Sequence, residues 1–305
     1  MFKNFSPQAL GINGRQSELI ELALTYAFRG MDIDMSDMLR RSQRTSVEDA
    51  TKYLRAAEIK IGGFEMDIDL DADDDAFTAQ AGALHPLADL ASELKIERAY
   101  LRVPAATDRL PYPEYFEVQR ARLDQIGDVL GGKGMKLAVG FHAGKEHGQD
   151  VQFPFVRDVE GFMALLNACS SDSVGYLLDT WDWVVGGGGM DQIHEIPASK
   201  VVAVRLSSVP DSIDASAATS EDRILPEKAA AIDHVALVKY LEAGGFNGPI
   251  GPSASTSQYK GQTRESLVQT GQEAVDSILT DAGLHVAPRP MDLIEDIPYE
   301  PTPMI

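Results

Sequence analysis

The chain of 305 residues reads as a single (β/α)8 barrel. Three observations carry that expectation. Short apolar runs alternate with helix-patterned stretches almost to the end of the chain, the order of βα units and a parallel sheet. Several of those runs end on a polar residue, as 136–142 does at His142 and 174–179 at Asp179, and a parallel barrel strand delivers such a residue to the mouth at its carboxyl end. Helical stretches stop at Gly131-Gly132 and Gly244-Gly245, and glycine is a favoured helix terminator. An open doubly wound sheet would want fewer strands and a phosphate loop after the first.

The elements follow in order. A first strand is expected near 5–12 and a helix over 16–28, with Leu19, Ile20, Ala23 and Ala27 on one face. Gly30 closes that helix, and 31–35 forms the second strand. Ser46, followed by Asp49, reads as the cap of the next helix. The third strand falls over 59–66, a helix over 75–94, the fourth strand over 99–103 and a long helix over 112–130. The fifth strand is 136–142, and Phe162, Leu165, Leu166 and Cys169 mark a buried helix face. Strands over 174–179, 201–206 and 249–254 alternate with helices near 190–196, 232–243 and 262–281. Beyond about residue 286, Pro288, Pro290, Pro298, Pro301 and Pro303 recur among acids. The expected organisation is a barrel over 1–286 and an extended, Pro-rich acidic C-terminal arm over 287–305.

Composition narrows the function. The formal charge is −20, with 47 acids against 27 bases, and no basic stripe appears, so nucleic acid is not an expected partner. No run approaches the ~18 apolar residues of a membrane span, and the start resembles no signal peptide. One cysteine, Cys169, allows no internal disulfide, and a cytoplasmic setting is expected. The acidic run Asp67, Asp69, Asp71, Asp73, Asp74 and Asp75 reads as a solvated loop. It lacks the glycine and the final glutamate of an EF-hand.

In a barrel the chemistry sits at the carboxyl ends of the strands, so Asp34, Glu65, Arg102, His142, Asp179, Asp182, Arg205 and Ser253 are the residues to weigh. Glu65 and Asp34 read either as general bases or as helix caps. Trp181 and Trp183 alternate around Asp182 and read as rim packing or as a stacking wall for a ligand ring. Gly186 to Gly189 reads as a connector or lid, since it lacks the Gly-Lys-Ser/Thr ending of a phosphate loop. His142, Glu146 and His147 cluster after the fifth strand. They suggest a relocated metal site less well than His142 alone suggests a polar contact or general base.

The run Val174-Gly-Tyr-Leu-Leu-Asp179-Thr180-Trp-Asp182 resembles the Leu-Asp-Thr/Ser-x-His strand end of the sugar phosphate isomerase/epimerase family, the xylose isomerase-like barrels. Arg223-Ile-Leu-Pro226 with Ile232-Asp233 is similar to a later segment of that family. Gly244-Gly-Phe-Asn-Gly-Pro-Ile250 is similar to its approach to the last strand. The resemblance covers roughly residues 5–284. It implies a small-molecule partner: a sugar, polyol, keto-sugar, sugar acid or sugar phosphate bound at the mouth, with a homodimer by analogy. It also implies a divalent ion held by Glu, Asp, His and Glu. Those positions are Gly140, Asp179, Arg205 and Ser253 here, so no metal and no other cofactor is expected. Asp179, His142 and Arg205 are the expected catalytic residues, and Asp182, Trp181, Trp183, Arg223 and Glu65 the expected substrate contacts. Arg205 is expected to pair with Asp179 and Asp182, either as a structural ion pair or as an anion-binding group. An isomerase or epimerase and a degenerate ligand- or partner-binding barrel both remain open.

Overall fold

The computed structural model describes residues 1–228 and 230–295. Nine parallel strands curl into one sheet: Phe2–Phe5, Gly30–Met31, Lys60–Ile61, Phe64–Glu65, Arg98–Arg102, Lys136–Gly140, Val174–Asp179, Val201–Leu206 and Pro249–Pro252. Lys60–Ile61 and Phe64–Glu65 are two halves of one stave, interrupted at Gly62-Gly63, so the barrel has eight staves. The first half pairs with Gly30–Met31 and the second with Arg98–Arg102, and there the ring closes. The first and last staves pair through Phe2–Pro249 and Lys3–Ile250.

Helices cover the outside, and most of the buried apolar side chains lie between them and the sheet. Among the described residues no helix is long and apolar enough to cross a membrane. Ser46 caps Val47–Ala57 as expected, accepting from the Asp49 amide at 3.0 Å. The first strand ends earlier than expected because Pro7 starts a tight 3-10 turn, Gln8–Leu10. The second is only two residues long, and an unexpected helix, Met35–Arg44, follows it. Asp34 caps that helix, accepting from the Asp37 amide at 2.8 Å. Part of the expected extended arm is helical: Pro290–Glu295 packs against Gln16–Thr25. Proline fits the first turn of a helix, where its missing N–H costs nothing. Residues 296–305 of the arm lie outside the described residues.

Residues two apart on a strand face the same way, so the interior is built in layers. Tyr100, Ala138, Leu177 and Ala203 meet in a small apolar cluster with Val202. Two residues further along the same strands stand Arg102, Gly140, Asp179 and Arg205. Arg205 is in register with Asp179, and Arg102 with Gly140. An apolar plug thus lies beneath a charged mouth.

The glycine pair in the third stave makes room inside the barrel. A Cβ on Gly62 would stand 2.2 Å from Asn4 Oδ1 and 2.5 Å from Asp32 Oδ1, and one on Gly63 2.4 Å from the Tyr100 ring. Asn4, Asp32 and Tyr100 are bonded to one another there and have little freedom to give way. Gly62→Val is therefore expected to lower unfolding stability by about 1–3 kcal/mol through overpacking. Urea denaturation checks this, and an unchanged midpoint contradicts it.

Candidate functional site at the barrel mouth

Three arginines and three carboxylates interlock at the mouth. Arg223, from the segment after the seventh strand, bonds Asp179 Oδ2 with one nitrogen and Asp182 Oδ2 with the other, the latter at 2.9 Å. It also donates to Ser253 Oγ at 3.1 Å and lies 4.7 Å from the Trp181 ring centroid. Arg205 bonds Glu65 Oε1 at 2.5 Å, with its guanidinium 5.4 Å from the Tyr100 ring. Arg102 bridges the two halves, 3.3 Å from Asp179 Oδ2 and 3.7 Å from Glu65 Oε1. Its side chain crosses over Gly140, where a Cβ would approach Arg102 Cγ to 3.4 Å.

Asp179 and Asp182 are held from several sides. Asp179 Oδ1 accepts from the Trp181 amide at 3.2 Å and from Ser207 Oγ at 3.3 Å. Asp182 Oδ1 accepts from the Ala143 amide at 3.2 Å. His234, buried behind them, approaches Thr180 Oγ1 at 3.2 Å, and that hydroxyl donates to the Ser207 carbonyl at 2.7 Å. The helix carrying Asp182, Thr180–Val185, is thereby tied to the end of the seventh strand.

The expected residues divide into two groups. Glu65, His142, Arg102, Arg205, Arg223 and Ser253 line a cleft of about 440 Å3 at the mouth. Asp179 and Asp182 lie beneath it, buried, as partners of the arginines. The expected pairing of Arg205 with Asp179 and Asp182 is corrected: Arg223 takes both carboxylates, and Arg205 reaches across the barrel to Glu65. Trp181 and Trp183 do not wall the cleft. The strand stops at Asp179 and a helix, Thr180–Val185, begins there, so strand alternation does not apply. Trp181 packs under Arg223, and Trp183 turns away to donate to the Gly189 carbonyl at 3.1 Å, closing the glycine run into a packed turn. Asp34 is a helix cap.

His142 stacks on His147, with centroids 4.3 Å apart, and His147 approaches Ser220 Oγ and Glu146 Oε1 at 3.2 Å each. Among the described residues no three His, Cys, Asp or Glu groups gather as a ligand set. The acidic run is only partly a solvated loop: Asp71 accepts from Thr107 and Tyr115, and Asp74 pairs with Arg122.

Sequence reasoning passed over Asp32. Its Oδ1 accepts from Asn4 at 2.8 Å and from the Tyr100 hydroxyl at 3.0 Å, and its carboxyl faces a hollow beside the mouth. The signal was strand alternation: Asp32, two residues before the cap, points inward.

Charge and burial set the protonation states. Burial raises the Asp32 carboxyl to about 6, against the pull of Arg205 and the Asn4 bond. Burial also works on Glu65 and Asp179, but the neighbouring guanidiniums outweigh it and both lie below their ordinary values. Asp182 ends above its ordinary value: burial raises it, Arg223 lowers it, and the charge of Asp179 pushes back. Burial, aided by Arg102, His147 and Arg223, lowers the His142 imidazole to about 3, so it is neutral at pH 7.

The ion-paired cleft stands at the carboxyl ends of a closed parallel barrel, the face where barrel enzymes carry their small-molecule sites. Residues 20–278 match the family of xylose isomerase-like TIM barrels, and the chain belongs to it. An inosose isomerase from Bacillus velezensis is 24% identical over 179 residues, 58% of this chain and 61% of that relative, so less than two thirds of the relative is spanned. A xylose isomerase domain protein from Alicyclobacillus acidocaldarius superposes with a TM-score of 0.80 at 19% identity, covering 93% of this chain and 99% of that one. The IOLI protein with a binding zinc atom does so at 0.78 and 17%, covering 92% and 99%. A D-psicose 3-epimerase with D-tagatose, from Clostridium cellulolyticum H10, reaches 0.67 at 12%, covering 92% and 99%. At these identities the solved structures establish the fold alone.

Asp32 yields a pH-dependent prediction. Its folded value of about 6 lies above the ordinary 3.8, so its contribution to stability is full below about pH 4 and is lost as pH rises through 6. Asp32→Asn keeps an oxygen for Asn4 and Tyr100 and removes the titration. The variant should match the parent near pH 4 and exceed it at pH 8 by on the order of 1–2 kcal/mol. Urea unfolding across that range measures the difference, and a variant less stable at pH 8 contradicts the assignment.

Proposed function

We propose that the mouth binds a sugar acid without a divalent ion and that Glu65 moves a proton on the carbon beside its carbonyl. One observation carries the reading: Arg102 lines the cleft with the longest ion-pair contacts of the three arginines, 3.3 and 3.7 Å. Arg223 is saturated by Asp179, Asp182 and Ser253, and Arg205 is clamped to Glu65. Arg102 is therefore the cation with a geometry to gain from an incoming carboxylate, which it can meet in a fork.

The donor set does not fit a divalent cation. Of the four positions that the family resemblance equates with metal ligands, Gly140 has no side chain, Arg205 is a cation and Ser253 a neutral hydroxyl already bonded to Arg223. Asp179 is committed to Arg223 and Arg102. An ion there would also stand among three guanidiniums, whose charge repels it. The metal's task of stabilising a developing oxyanion falls instead to Arg102 and Arg205.

Glu65 is the carboxylate best placed for proton transfer. Its side chain is 24% exposed and lines the cleft, whereas Asp179 and Asp182 are enclosed. It would take the proton from the carbon beside the carbonyl, and the electron pair would move to the carbonyl oxygen as an enediolate. The hydroxyl proton of that carbon would pass to this oxygen, and Glu65 would return its proton to the former carbonyl carbon on the same face. Neutral His142 contacts a hydroxyl. A second reading, binding without turnover, is favoured by the ion pair that holds Glu65 to Arg205.

Two measurements separate these readings. Thermal shift with D-glucuronate, D-galacturonate and D-glucose, with and without Mn2+, should give a metal-independent shift for the acids that Arg102→Met loses. Proton NMR in D2O should show exchange at the carbon beside the carbonyl, abolished in Glu65→Gln with acid binding kept. Binding without exchange in the parent supports the second reading, and a shift that requires Mn2+ overturns the metal-free one.

A further inference from the structure

The cleft at the mouth does not end at its charged wall. A second hollow of about 650 Å3 opens beside it, and Gln8 and Glu65 line both. Each lobe alone falls within the roughly 300–1,000 Å3 of small-molecule sites. We propose that the ligand of this protein is amphipathic, with a carboxylate and hydroxyls in the arginine lobe and an aryl or alkyl substituent in the second lobe. The inference rests on the sugar-acid reading of the mouth and extends it to the substituent.

The second lobe differs in chemistry from the first. Ile12, Ile33 and Met38 form buried parts of its wall, Leu19 is half-buried, and Tyr53, 48% exposed, stands at the rim. Of the two arginines in its lining, Arg15 and Arg41, Arg41 is already engaged. It donates to Gln16 Oε1 at 3.1 Å and to the Ala50 carbonyl at 2.7 Å, with Asp37 at 3.6 Å. Its charge is therefore spent within the wall. Asp32 lines the same lobe, with its Oδ1 already held by Asn4 at 2.8 Å and by the Tyr100 hydroxyl at 3.0 Å.

The shared wall sets the direction of the ligand. Glu65 is fixed from the mouth side by Arg205, so the reacting carbon would sit against Glu65, its carboxylate towards Arg102 and its substituent past Gln8 into the second lobe. A bare hexuronic acid fills the first lobe and leaves the second to water. A phenyl group there would bury roughly 100 Å2 of apolar surface. At ~25 cal/mol per Å2 that predicts a gain in affinity of at least about tenfold.

Isothermal titration of the full chain with D-glucuronate and with phenyl β-D-glucuronide tests this. The phenyl glucuronide should bind the parent at least about tenfold more tightly. Asn13→Trp, at an exposed position lining the second lobe and outside the arginine cleft, should erase that preference and leave D-glucuronate affinity unchanged. Ser17→Trp, lining the same hollow, provides an independent closure if the first variant does not fold. Equal affinities in the parent, or a preference that survives the tryptophan, overturn the second lobe and leave the sugar-acid reading standing. Binding of neither probe to the parent overturns both.

Discussion

The mouth of this barrel is organised by the cost of burying guanidinium groups. Arg205 is buried and Arg223 and Arg102 half-buried, and charges taken from water must be met by opposite charges and hydrogen bonds or the fold is lost. Asp179, Asp182 and Glu65 meet that demand, and the backbone amides of Trp181 and Ala143 satisfy the second oxygens of Asp179 and Asp182. The network ties the fourth, sixth and seventh strands to the third stave and to the segment carrying Arg223. The pocket is thus shaped before any ligand arrives, and removal of one member leaves its partners stranded.

Below the charges, the Tyr100, Ala138, Leu177 and Ala203 layer keeps water out of the barrel. The glycines of the third stave leave space for Asn4, Asp32 and Tyr100, a second polar group whose titration is set by burial. The two polar centres meet at Arg205, which holds Glu65 and lowers the Asp32 carboxyl by its charge. A cation in this place acts on acids over two strands, as a metal would. Unlike a metal, it offers no open coordination position, so its action on a ligand is electrostatic and through N–H donors.

Much of the architecture was legible in the chain because apolar runs and helix stops repeat in barrel order. The sixth and seventh strands fall where their runs fall, at Val174–Asp179 and Val201–Leu206. The second and third staves were harder, since Gly30–Met31, Lys60–Ile61 and Phe64–Glu65 are too short for a period to show. The residues of the mouth were legible as strand ends, but their partnerships were not. Arg205 reaches Glu65, 140 positions away, and only the closed ring brings them together. Trp181 and Trp183 misled because an alternating pattern continues unbroken into a helix. Asp32 was hidden beside Asp34, the better capping residue.

The central claim is that guanidinium groups stand where relatives by resemblance hold a divalent ion. Equilibrium dialysis of the full chain against Zn2+ and Mn2+, followed by metal analysis, tests it most directly. The account predicts far less than one ion per chain at micromolar free metal, for the parent and for Asp179→Asn alike. One chelator-resistant ion per chain in the parent, lost on Asp179→Asn, would contradict it.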